Sequence, residues 1–167
     1  MRENVFLIGF MGSGKSTIAR LLADELKMNM VEMDERIVQE QGMSINDIFA
    51  SRGEDYFRDV ESALVLALNE EGGNVVSCGG GVVVRAANVD AMKQKGRIVF
   101  LSATPETIYH RVKNSTDRPI LNGNMNVGYI AELMEKRRSL YESAADITIV
   151  TDGKGKEEIC KEIVAAL

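Results

Sequence analysis

The sequence predicts a three-layer α/β sandwich, with one five-stranded parallel sheet flanked by helices. Three observations carry that expectation. Short apolar, β-prone runs alternate with helical patterns along the whole chain, the first run leads directly into a G-x-x-x-x-G-K-S loop, and no linker or internal repeat interrupts the series. Strands joined by helical crossovers pair in parallel through right-handed connections, and strands buried on both faces read as continuous apolar runs. A chain of 167 residues, 45% hydrophobic and 27% charged, suits one globular domain spanning 1–167.

The elements follow in order. Val5-Phe6-Leu7-Ile8 is the first strand, and Gly9 to Thr17 is a P-loop opening a helix marked by Ile18, Leu21, Leu22 and Leu26. Residues 28–33 read as a second strand ending at Glu32-Met33-Asp34, and the stretch to Gln41 as a helix with Ile37 and Val38 inward. Ser44, with Asp47 three residues on, caps a short helix, and Gly53 separates it from a longer one. There Phe57, Val60, Ala63, Leu64, Ala67 and Leu68 form an apolar stripe with Arg58, Asp59 and Glu61 off it. Gly72 and Gly73 stop that helix; residues 74–78 form a third buried strand, and Gly79-Gly80-Gly81 follows directly. Residues 86–95 are helical, 97–101 a strand, and Thr104-Pro105-Glu106 caps the next helix with Pro at its first position. From about 113 to 128 the chain turns polar, and a loop of that length inside a nucleotide-binding domain is expected to be a lid. A helix over 129–144, a strand over 146–150 and a helix from about 156 complete the chain.

Composition limits the partners. A net charge of −5 and a pI near 5.0 argue against a nucleic-acid or anionic-membrane surface, and nothing approaches the ~18 apolar residues of a spanning helix. The apolar run at Val5 is too short for a signal peptide, and Cys78 and Cys160 are expected to be reduced, so a cytoplasmic protein, monomeric and acting on small molecules, is expected.

The loop dictates the first piece of chemistry. A triphosphate is wrapped by backbone N–H groups at close range, so Gly12 and Gly14 must lack a Cβ, while Ser13 and Thr17 sit within the cradle. Lys15 supplies a charge for the β- and γ-phosphates, Ser16 a hydroxyl for Mg²⁺, and the helix its N-terminal dipole. ATPases, GTPases and kinases share that scaffold. The chain is short for a motor and lacks N-K-x-D, whereas Glu32, Asp34 and Gly79-Gly80-Gly81 all fall at strand carboxyl ends, where open α/β sheets bind ligands.

These residues resemble shikimate kinase over nearly the full length. The resemblance is carried by Gly9 to Thr17, Glu32-x-Asp34, Ser44 to Phe49, Gly53-Glu54, Phe57-Arg58-x-x-Glu61, Gly79-Gly80-Gly81, Arg118-Pro119, and Lys136-Arg137 before Leu140-Tyr141. It implies a nucleoside-monophosphate-kinase-like fold, an acceptor-binding helical segment at about 34–71, and transfer of the ATP γ-phosphate to the 3-hydroxyl of shikimate, a step toward chorismate and the aromatic amino acids. Asp34, Arg58, Gly79, Gly80, Gly81 and Arg137 then look like the shikimate site. The chemistry agrees, because guanidiniums grip a carboxylate through paired donors and a carboxylate accepts from hydroxyls. Arg118, on the expected lid, resembles the family's phosphate-contacting arginine, and Arg111 and Lys154 sit where the family meets adenine. The catalytic set implied is Lys15, Asp34 and Arg118, with Ser16 and Glu32 at the metal.

Blander readings stand beside these. Arg58 at i,i+3 from Glu61 also fits a solvated ion pair, the glycine triplet a plain turn, and one of Arg137 and Arg138 a surface charge, with the family pattern favouring Arg137 as the functional one. Cys78 reads as core, His110 as surface, and Met28, Met30 and Met33 as packing. The family usually has Asp where this chain has Glu32, which moves that carboxylate outward by one methylene. The alternative activity is another small P-loop kinase, for a sugar acid such as gluconate or for a nucleoside monophosphate. A regulatory ATP-binding module would be expected to lack Lys15 or Asp34.

Overall fold

The computed structural model describes residues 3–113 and 126–167. Five parallel strands form one sheet in the order β2-β3-β1-β4-β5, where β1 is Asn4–Ile8, β2 Asn29–Glu32, β3 Asn74–Ser77, β4 Gly96–Ser102 and β5 Ile147–Val150. Val5 lies opposite Val75 on one side and Arg97 on the other, which fixes the register of the central strands. β1 is buried throughout, as its unbroken apolar run requires, while the edge strands β2 and β5 keep exposed positions.

Each face carries its own core. Val5, Leu7 and Val75 pack against helices α1 (Lys15–Leu26) and α8 (Lys156–Ala166) through Ile18, Leu22, Ile159 and Ile163. Phe6, Ile8, Val76 and Ile98 pack on the opposite face against α2 (Met33–Gln41), α4 (Glu54–Glu71), α5 (Ala86–Lys95), α6 (Pro105–Val112) and α7 (Val127–Ala144), with α3 (Ile45–Arg52) beside α4. The connection leaving β1 passes over one face by α1 and that leaving β3 over the other by α5, so the chain diverges between these adjacent strands. A crevice opens there at their carboxyl ends.

Three boundaries and one buried face differ from the sequence reading. β2 stops at Glu32, and Met33 and Asp34 form the first turn of α2, where Asp34 and Glu35 complement the helix dipole. β3 stops at Ser77, leaving Cys78 beyond its end. On α4 the buried face is rotated from the expected stripe: Ala63 and Ala67 are exposed, while Val65, Arg58 and Glu61 are buried. Periodicity places charged residues outward by default, and here Arg58 and Glu61 pair with each other inside. α7 begins at Val127, because Asn126 accepts from the Tyr129 N–H at 2.8 Å and caps it, so its start falls in the stretch read as lid.

Candidate active site

The phosphate loop has the geometry that its residue types demand. Gly12 and Gly14 hold φ of +78° and +93°, and a Cβ on Gly12 would lie 2.6 Å from a Val112 methyl. Lys15 is buried, and its Nζ donates to the carbonyls of Gly9 at 2.7 Å and Phe10 at 3.0 Å. Ser13 is buried in the loop, and Ser16 and Thr17 line the mouth of a 620 Å³ cleft with Asp34, Glu35 and Gly80. Arg111 reaches the cleft from the end of α6, donating to the Gly12 carbonyl at 3.1 Å.

Oxygen ligands gather at one side of this cleft. The Ser16 hydroxyl donates to the Glu32 carboxylate, and the buried Ser77 hydroxyl stands 3.3 Å from it. Among the described residues no group of three or more His, Cys, Asp or Glu forms a protein-only metal cage. A few hard oxygens beside a phosphate cradle fit Mg²⁺, which keeps most of its waters and takes phosphate oxygens as ligands.

The other side is built on α4, α7 and the glycine triplet. Arg58 donates to Glu61 at 3.0 Å and lies 3.4 Å from Glu54, and its guanidinium presses on Gly81, where a Cβ would come within 2.4 Å of both terminal nitrogens. A Cβ on Gly79 would meet Glu61 at 3.0 Å and Asp34 at 3.1 Å, so two carboxylates face the same backbone. A Cβ on Gly80 would stand 3.5 Å from Arg137 and 3.6 Å from the Met11 nitrogen, so the triplet also faces the phosphate loop. Arg137 is half-buried, whereas Arg138 is exposed and bound to Glu135 and Glu142.

Burial pushes the Glu61 carboxyl up from 4.5 to about 7, against the lowering pull of Arg58. The folded chain therefore holds this proton more tightly than the unfolded one. The resulting stability is complete below the unfolded value of 4.5 and is lost as the pH rises through about 7. Glu61→Gln, which cannot ionise, should thus gain melting temperature relative to the parent as ligand-free protein is taken from pH 5 to pH 8. A difference constant across that range would show that Glu61 stays charged.

The crevice brings together Lys15, Ser16, Glu32, Asp34, Arg111 and Gly79-Gly80, with Arg58, Gly81 and Arg137 around the triplet. Lys154 is placed differently, its Nζ 2.9 Å from Glu162. Arg118 and most of the stretch read as a lid lie outside the described residues. Three contributors were given no role in the sequence reading: Glu61 and Tyr141, noted only as parts of motifs, and Ser77; the Tyr141 hydroxyl donates to the Gly80 carbonyl. For Glu61 the signal was present in its i,i+3 spacing from Arg58, but its burial was not.

The chain resembles known proteins over nearly its full length. The family model described as shikimate kinase matches residues 11–167. A shikimate kinase of Persephonella marina is 41% identical over 165 residues, covering 99% of each chain, and one of Dehalococcoides mccartyi is 40% identical over 163 residues, covering 98% of this chain and 92% of its own. The solved structure of a shikimate kinase from Acinetobacter baumannii in complex with shikimate superposes with a TM-score of 0.94 at 30% identity, covering 99% of this chain and 93% of its own.

Proposed function

The chain belongs to the shikimate kinase family: it transfers the γ-phosphoryl group of ATP to the 3-hydroxyl of shikimate, giving shikimate 3-phosphate and ADP, and we propose that the crevice between β1 and β3 is where it does so. The observation that carries this placement is the glycine triplet, which faces the phosphate loop on one side and two guanidiniums on the other.

In this reading Gly12, Ser13, Gly14, Lys15, Ser16 and Thr17 hold the triphosphate, with Arg111 at the nucleotide end. Ser16 and Glu32 would hold Mg²⁺, which when bound would supply charge neutralisation at the transferring phosphate. Arg58 and Arg137 grip the acceptor's carboxylate, and Gly79, Gly80 and Gly81 let backbone come close to it. Asp34 contacts the attacking hydroxyl and orients it or takes its proton. Arg118 stabilises charge on the moving group, a role that rests on the motif Arg118-Pro119 alone, as does a nucleotide contact for Lys154 on its position. The lid at about 113–128 and the acceptor segment at about 34–71 belong to this same single-domain reading. A cytoplasmic monomer accompanies it, one that uses neither nucleic acid nor membrane, and the net charge of −5 supports that last point. Among the described residues no helix is long and apolar enough to cross a membrane.

A nucleotide acceptor is less well served. A nucleobase calls for an apolar slot, whereas this side of the crevice offers buried Arg58 and half-buried Arg137, suited to a small anion. ADP release measured with ATP, Mg²⁺ and a panel of shikimate, gluconate and CMP should respond to shikimate alone. Faster turnover of either other acceptor would overturn the assignment.

A further inference from the structure

We propose that Tyr141 is a positioning residue for the acceptor's carboxylate, its hydroxyl binding Arg137 to the glycine triplet so that guanidinium and backbone reach one anion together. The proposal rests on the placement of shikimate argued above.

Tyr141 follows Arg137 by one helical turn on α7, so both project from the same face. Its hydroxyl donates to the Gly80 carbonyl, and the Arg137 guanidinium stands at the same glycine, where its charge acts on the phenol. A phenol has one proton and two lone pairs, so it can accept from a guanidinium while donating to the carbonyl. The ring cannot follow a moving partner, because it is 2% exposed and stacked on Phe100 of β4 with centroids 5.1 Å apart. Arg137, by contrast, lies on a helix whose buried residues are only Ile130, Tyr141 and Ala144, and its long side chain has many rotamers to choose from. The guanidinium nevertheless sits directly over Gly80, 3.5 Å from where a Cβ would be. The fixed phenol supplies the restraint. An anion that meets a guanidinium already held in place does not meet the entropic cost of ordering it.

A hydroxyl that merely satisfies a nearby carbonyl would predict no link to Arg137, and a double-mutant cycle separates the two. Tyr141→Phe keeps the stacked ring and removes the relay. Titrated calorimetrically without nucleotide, it should weaken shikimate binding by about tenfold, leave the ATP KM unchanged, and raise the shikimate KM more than it lowers kcat. In an Arg137→Ala background, Tyr141→Phe should cause no further loss. Shikimate methyl ester, which lacks the anion, should bind parent and Tyr141→Phe alike, a substrate-side check that needs no second mutation. Equal losses from Tyr141→Phe in both backgrounds, or for acid and ester, would overturn the proposal. So would unaltered shikimate binding in Tyr141→Phe when Arg137→Ala weakens it. Unaltered binding in Arg137→Ala itself would instead overturn the acceptor site, and this proposal with it.

Discussion

Asp34→Asn is expected to lower kcat by about 10²–10⁴ and to stay low when Mg²⁺ is raised. The substitution keeps the shape of the side chain and removes its charge, so it separates proton transfer from space filling. Asp34 and Glu32 are two residues apart, yet the end of β2 and the first turn of α2 send them to different partners. Glu32 meets the Ser16 hydroxyl of the phosphate loop. Asp34 stands over Gly79, 3.1 Å from where a Cβ would be, beside Glu61 and on the acceptor's side of the crevice. Two acids of one motif are thus expected to have two tasks.

Glu32 should therefore act through the metal. Glu32→Asp shortens the arm by one methylene and should stay active, since a carboxylate acting through coordinated water tolerates that shift. Glu32→Gln loses the charge and should need more Mg²⁺, recovering much of its rate when the metal is supplied. Initial rates titrated with Mg²⁺ in the three variants decide the matter. Rescue of Asp34→Asn but not of Glu32→Gln would reverse the two roles.

The sequence made the phosphate half of the site legible and the acceptor half only partly so, for a physical reason. A P-loop is a local object: strand, glycines, lysine and helix start are contiguous, and every constraint acts within a few residues. The acceptor side is assembled from α4, α7 and the turn after β3, whose proximity only the sheet order β2-β3-β1-β4-β5 creates. Arg58 and Glu61 look like an exposed i,i+3 pair on a helical wheel, because nothing local says that they are enclosed. Tyr141 carries no motif chemistry, and its importance appears only when Gly80, 61 positions earlier, is found at its hydroxyl. Element boundaries were least legible where an acid could serve as either strand end or helix first turn, as at Asp34.

Gly81→Ala is expected to raise the shikimate KM by roughly 10- to 100-fold while leaving the ATP KM unchanged, the weight of a charge-assisted contact of about 1.5–3 kcal/mol. Arg58→Ala is a less direct test of the same contact. It deletes the charge, but it also leaves Glu61 buried without its cation, and that alone destabilises a fold unless the carboxyl takes up a proton. Gly81→Ala retains every charge. Gly81 has φ of −101°, which alanine adopts without strain, so the methyl acts only through the space it occupies. That space is the guanidinium's, 2.4 Å away, and Arg58 must move while Glu61 and Glu54 still hold it. Shikimate KM and thermal stability measured together interpret the result. A large rise in KM with an intact melting transition places Arg58 on the acceptor's carboxylate. An unchanged KM in Gly81→Ala alongside a raised one in Arg58→Ala would mean that the guanidinium yields and that the closeness of Gly81 has no part in recognition, and an unchanged KM in both would move the acceptor site away from α4.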